Sequence, residues 1–415
     1  MDTNIWGEEV LDSKEYYDDN SVLFNFSSQD EEPPVLDKSL LDLKGSAVEI
    51  TNSFWCDAQK KKIDVVDYGD DVFIYGVTKN IPANTEIYIS IWDFIAFNVI
   101  SELHKFPVKV LANNTFFVKI SLKSNWYMKS PNVDWLFYNV HYFENGKEKH
   151  KGFPSKPEEM LKINVVKEIP RIMEFHKWQL ATSCQLVWFS GKINIDAKKV
   201  KPITYLLKMD WALKFQIAQE VYNGIFEEGL FTIAKWKNDK SKEFIVKQIR
   251  KMYEDAIITI PQEIDSVTDY GTFSFDLFRD TFEPLIERYY FRSESKEEDF
   301  FNVEWNEYFA AVGSTTMHIA AKGKIKRLEN EFEISILQLG VYIVDGFNFI
   351  GEQPLGVWNP KTNYMGLDFS KGISVTNATY RDFQKRNMIG MNYNNYSDVK
   401  IVNVSFSFSI PLDAL

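Results

Sequence analysis

With 415 residues, 45% of them hydrophobic and 15% aromatic, the chain is long enough for two folded units with large cores. Its two cysteines, Cys56 and Cys184, lie far apart in apolar or aromatic surroundings, which excludes a disulfide framework and a cysteine-based zinc site. The formal net charge is −12, yet residues 1–50 hold thirteen acids against three bases, a balance of −10 that leaves −2 for the other 365 and no wide basic field to attract nucleic acid.

Residues 1–45 read as an acidic, disordered tail: acids are dense, Pro33-Pro34 interrupts, and apolar residues are scattered. The start MDTNIWGEEV has neither a basic n-region nor an apolar h-region, so no secretory signal is expected. No stretch reaches the ~18 uninterrupted apolar residues of a membrane-spanning helix. These features predict a soluble protein of the producing cell's cytoplasm, exported only by a signal-independent machine. Within the tail, Val22-Leu23-Phe24-Asn25-Phe26 fits a docking peptide or an incidental run of aromatics.

Residues 46–165 predict a β-sandwich. Val72–Tyr75 and Glu86–Trp92 have strand composition, and Ile87, Ile89 and Ile91 alternate onto one face. Thr115–Leu122 and Trp135–Phe143 follow, with turns at Asn113-Asn114 and at Asn145-Gly146, whose residues accept positive φ. Residues 166–415 predict a larger α+β unit. A helix is expected between Pro170 and Gly191, a second from an Asp210 cap to Ile225, and a third from Ser241 to Tyr253. A capped helix is expected from Ser295 to Ala310. Thr315–Lys326 and Phe332–Val344 read as strands, and Val404, Phe406, Phe408 and Ile410 alternate with Ser405, Ser407 and Ser409 as in a half-buried antiparallel strand.

Chemistry is marked first by absences. There is no GxxxxGK(S/T) loop, no GxGxxG after a strand, no GxSxG elbow and no HExxH pair. The five histidines, His104, His141, His150, His176 and His318, are not paired at metal-ligand spacing on a common helix, and no cofactor or metal is implied. One stretch stands out, Gly340 to Asn359. A strand ending at Asp345 runs into a turn-rich loop bearing Asn348, Glu352, Gln353, Trp358 and Asn359, a composition suited to a ligand site or to a bend satisfying its own backbone. A second polar stretch, 377–398, carries Arg381, which can hold a carboxylate or phosphate bidentately or pair with Asp382 or an acid of the first loop.

Four stretches together resemble an uncharacterised bacterial domain of unknown function found in type VI secretion and polymorphic-toxin loci. They are Trp178 to Gly191, Met209 to Leu213, Gly340 to Phe349 with Gln353 to Asn359, and Asn377 to Phe383 with Ser397-Asp398, and the resemblance spans about 166–410. Residues 46–165 are similar to immunoglobulin-like modules that accompany spike-associated effectors. The resemblance implies delivery by a contractile injection machine, with secretion spike or tube proteins and an immunity protein as partners. Tyr342–Phe349 also resembles the Asp-x-Tyr-Asp stretch of colicin M-type lipid II phosphodiesterases. Asp345 matches the first acid, whereas Phe347 and Asn348 depart from the pattern and no His-Arg pair follows.

Two expectations follow. The first is an effector or cargo protein with its activity in the C-terminal unit: Asp345 as acid or base, Arg381 as anion holder, and Asn348, Gln353, Trp358, Asn359 and Asp382 around a pocket. The second is a non-enzymatic spike, adaptor or structural component of the injection system.

Overall fold

A computed structural model of the protein describes residues 47–95, 99–122, 135–156, 159–194, 196–255, 272–276, 289–296 and 305–415. The acidic tail, with its Val22–Phe26 run, lies outside the described residues.

The described residues of the N-terminal part form strands β1 (Glu49–Cys56), β2 (Val65–Asp67), β3 (Asp71–Lys79), β4 (Glu86–Ile95), β5 (Val99–Lys109), β6 (Thr115–Ser121), β7 (Trp135–Glu144), β8 (Lys147–Phe153) and β9 (Leu161–Asn164). One sheet has the order β1-β3-β6; the other runs β2-β9-β7-β4-β5, with β8 on β7. Alternation drives both: Val72 and Ile74 on β3, and Ile87, Ile89 and Ile91 on β4, are almost wholly buried. The sheets meet where Trp55 of β1 touches Tyr138 of β7 edge to face, 4.9 Å between centroids, while Ser53 Oγ lies 2.6 Å from the Tyr138 hydroxyl. Asn145 and Gly146 turn the β7–β8 hairpin with φ of 50° and 72°.

The helical stretch differs from the sequence expectation in two places. The helix expected between Pro170 and Gly191 is two, α1 (Ile169–Phe175) and α2 (Gln179–Ser190). Lys177 takes φ 64°, which returns its own N–H to Glu174 O and that of Trp178 to Met173 O. Asp210 lies within the one-turn α3 (Met209–Ala212) rather than capping a longer helix, and α4 (Gln216–Phe226) starts anew. The third, α5 (Asp239–Glu254), forms as its stripe requires: the Asn238 side chain accepts the Ser241 N–H, and Ile245, Ile249 and Met252 are buried.

In the C-terminal sheet, Ser295 belongs to a strand, not a helix start. It pairs with Thr316, because β11 (Arg292–Lys296) lies along the same edge as β10 (Thr272–Asp276); residues 297–304 of the expected helix lie outside the described residues, and α6 (Glu307–Ala311) follows them. The spine is a long antiparallel hairpin, β12 (Thr315–Arg327) and β13 (Glu331–Phe347). A small sheet follows, β14 (Pro354–Asn359) flanked by β15 (Tyr364–Gly366) and β16 (Ile373–Thr376). Next come α7 (Asn377–Asn387), β17 (Tyr393–Tyr396) and β18 (Lys400–Pro411). The far edge of β13 is shared: β18 pairs with its first part and β17 with its end, Val344 to Phe347. Along β18, Val404, Phe406, Phe408 and Ile410 are half-buried and the intervening serines exposed, as the alternation requires. No helix among the described residues is long and apolar enough to cross a membrane.

Candidate functional site

The stretch singled out in sequence is not one loop. Asp345 lies within β13, opposite Asn395 of β17; the bend proper spans 348–353; Trp358 and Asn359 lie on β14. Aromatic contacts on both sides of the bend position it. Phe347 stacks on Tyr393 at 5.2 Å, Phe349 stacks on Tyr380 at 3.8 Å, and the edge of Trp188 meets Phe349 and Tyr380. The capping box of α7, in which Thr376 and Thr379 exchange side-chain and backbone hydrogen bonds, sets the helix start beside the bend.

From there α7 secures the bend's backbone. Asn377 donates its side-chain N–H to Ile350 O at 2.6 Å and its backbone N–H to Gln353 O at 2.9 Å. Arg381 donates to Phe349 O at 2.8 Å, to Gly351 O, and to Glu352 at 2.6 Å. The guanidinium thus pairs with an acid of the first loop and with its carbonyls, one of the two arrangements its sequence context allowed.

A cavity of about 360 Å³ opens beside the bend, a size in the range of small-ligand sites. Of the residues singled out in sequence, Asp345, Asn348, Gln353 and Trp358 line it; Arg381, Asp382 and Asn359 do not. Asp382 meets Arg386 at 3.0 Å on α7. Asn359 is buried and serves the turn after β14, donating to Lys371 O at 2.7 Å and accepting the Lys361 N–H at 2.9 Å. The remaining wall comes from residues that sequence reading passed over, notably Gln185, Trp305, Phe309 and Tyr380. Two signals marked them. Gln185 is a polar residue on the buried stripe of Ala181, Cys184 and Trp188; it accepts the Tyr380 hydroxyl at 3.0 Å. Gly356, at φ 95°, is bare because a Cβ there would meet the Trp305 ring at 2.3 Å.

Asp345 is the electrostatic anomaly of this wall. It is half-buried, and among the described residues no Lys, Arg or His lines the cavity with it. Loss of water raises its carboxyl to about 8, opposed only by the Gly346 N–H. The groups that feel its charge are themselves neutral: burial, then Asp345, pushes the Cys184 thiol up to about 12, and burial raises Tyr393 as well. Tyr393 donates to Cys184 O at 2.9 Å. Asn395, fully buried, directs its amide to Cys184 Sγ at 3.7 Å, and its Oδ1 accepts no hydrogen bond. Cys56 and Cys184 are both free and buried. Among the described residues no cluster of three or more His, Cys, Asp or Glu could hold a metal ion.

This arrangement can retain a proton at neutral pH and give it to, or take it from, a group entering the cavity. No curated protein matches the sequence. Residues 165–367, which run from just before α1 through β15 and include the Asp345 and Trp358 walls of the cavity but not α7, match a family described as a family of unknown function, DUF6402.

Proposed function

We propose that the cavity beside Asp345 is a ligand or substrate pocket, with Asp345 as its acid–base group and Asn348, Gln353 and Trp358 shaping it. Arg381 acts as a positioning residue that holds the bend. The observation that carries this reading is a carboxyl on the wall of a cavity of about 360 Å³ with no basic side chain beside it among the described residues. A carboxyl that keeps its proton to about pH 8 is matched to proton transfer near neutrality.

The biological setting we propose is that of an effector or cargo protein of a type VI-like secretion system, antibacterial in action, with residues 46–165 as an immunoglobulin-like spacer. That setting rests on the sequence resemblance. The test is growth of a susceptible bacterium expressing the full chain in its cytoplasm or, with an added leader, its periplasm. Wild type is expected to slow growth in one compartment and Asp345→Asn to restore it. Equal growth of both proteins in both compartments removes the toxin reading.

One observation favours a non-enzymatic spike or adaptor instead. Between α4 and α5, the tight turn closed by Gly229 and Thr232 presents Leu230 and Phe231 almost entirely to solvent, 97% and 99% exposed. Capture of spike or tube proteins by the wild-type chain, lost on replacing both residues with serine, would support that reading.

A further inference from the structure

The chemistry of the cavity wall narrows what can occupy it, on the reading that this cavity is a ligand pocket. Among the described residues, Asp345 is the sole one lining the cavity that can carry charge near neutral pH. An anion placed there would face a carboxyl with no cation beside it, which disfavours phosphates and carboxylates. Aromatic rings, among them Trp305, Trp358 and Tyr380, and the carboxamides of Gln185, Asn348 and Gln353 share the wall with aliphatic residues and the neutral hydroxyls of Ser314 and Thr316. A neutral polar ligand needs only the carboxamides, which offer both donors and acceptors. A half-buried carboxyl that faces a cavity without a counter-charge among the described residues is explained when the ligand itself brings the charge. Aromatic rings attract cations through their negative faces, most strongly where water is excluded.

We propose that this pocket takes a small organic cation, a quaternary ammonium or protonated amine, with Asp345 as its counter-charge and the tryptophan-rich wall around its apolar surface.

The proposal fixes the proton balance. In the empty pocket at neutral pH the carboxyl is protonated. A permanent cation favours the carboxylate, so binding releases one proton from Asp345 to solvent, and affinity rises as pH climbs through about 8. The other titratable groups described around Asp345 do not blur this window. Cys184 on α2, Tyr393 on β17 and Tyr380 on α7 are all pushed up by burial and remain neutral. Glu307 of α6, which acts on Cys184, accepts the Leu180 N–H and is not on the cavity wall. From β14, Leu355 and Trp358 bring no titratable group.

Calorimetric titration of the full chain with three probes tests it: benzyltrimethylammonium, benzyl alcohol and benzenesulfonate. The cation is expected to bind in preference to both others, about tenfold more tightly near pH 9 than near pH 7, and its binding heat near pH 7 is expected to vary with the ionisation enthalpy of the buffer, which reports the released proton. Asp345→Asn should abolish the pH dependence. Independently of any variant, carbon NMR of the Asp345 carboxyl should show its midpoint falling when the cation is added. Preference for benzyl alcohol, with affinity declining as pH rises, overturns the cation class and keeps Asp345 as a proton donor in a pocket for neutral ligands. Preference for the sulfonate, or no binding of the cation at millimolar concentration while Asp345 still titrates near 8, overturns the class and spares the acid–base reading. A carboxyl that titrates near the ordinary aspartate range overturns both.

Discussion

Asp67 and Asp345 are both aspartates drawn into the protein on strands, and they are treated in opposite ways. Asp67 ends β2 at the seam between the N-terminal sheets and α7, and is 2% exposed. Arg386 donates to it at 2.8 Å, Asn387 at 3.1 Å, and the Lys167 ammonium lies 3.8 Å away. Burial works against the charge of Arg386, but Asp67 and Asp382 hold its guanidinium above the usual arginine range. Asp345 has one backbone N–H and a cavity. A buried carboxylate that only holds a fold together is given partners, because an unpaired buried charge is costly. One left without them is either a fault or a working group, and the cavity beside Asp345 makes the second reading the better one.

Three measurements sharpen or break that contrast. The largest effect is expected at Asp67. Asp67→Ala removes the buried carboxylate on which Arg386, Asn387 and Lys167 converge, leaving Arg386 with Asp382 alone and Lys167 with Asp70, and should cost about 3 kcal/mol in denaturant unfolding, since breaking a mostly buried pair is far worse than losing an exposed one. A loss of only a few tenths would show that the seam is solvated and the contrast with Asp345 is one of degree.

The second is at Asp345, with the opposite sign. Its carboxyl is raised from 3.8 to about 8 in the folded chain. The folded state therefore holds a proton that the unfolded state has released, and stability falls as pH rises between those two values. Asp345→Asn should flatten that slope. Near pH 8 it should stabilise the protein by about 2 kcal/mol, a figure discounted for water in the cavity. Thermal unfolding across this range checks it, and unchanged slopes would mean the carboxyl is well solvated.

The smallest effect belongs to Asp382, singled out in sequence as part of the site. It lies off the cavity and pairs with Arg386 four residues on, at the helix surface. Asp382→Ala should cost about 0.3–0.5 kcal/mol, as exposed helical pairs do, and leave ligand binding untouched. A binding defect would place α7's outer face in the site after all.

How much was legible in the sequence follows from how local each feature is. The strand alternation at Ile87–Ile91 and Val404–Ile410, the Asn145-Gly146 turn and the stripe of α5 are decided by neighbours within a few residues, and all can be read without a structure. Where local rules are permissive, the reading failed. Lys177 carries no side-chain mark of a left-handed residue, yet it ends α1. Ser295-Lys296-Glu297-Glu298 looks like a helix cap, but pairing of Arg292–Lys296 with the edge of β12 overrides that preference.

The site divides along the same line. Sequence alone determined that a polar, glycine-bearing stretch follows a strand at Asp345, that basic and metal-binding motifs are missing, and that Arg381 had acids within reach. Tertiary structure alone decided that Asp345 has no counter-charge among the described residues, that Arg381 is engaged by the bend, and that Gln185, Trp305 and Tyr380 join the wall. The physical reason is that a carboxyl's ionisation depends on what surrounds it in space. Around Asp345 those surroundings are contributed by α2, α6, β14, α7 and β17, segments that only folding brings together.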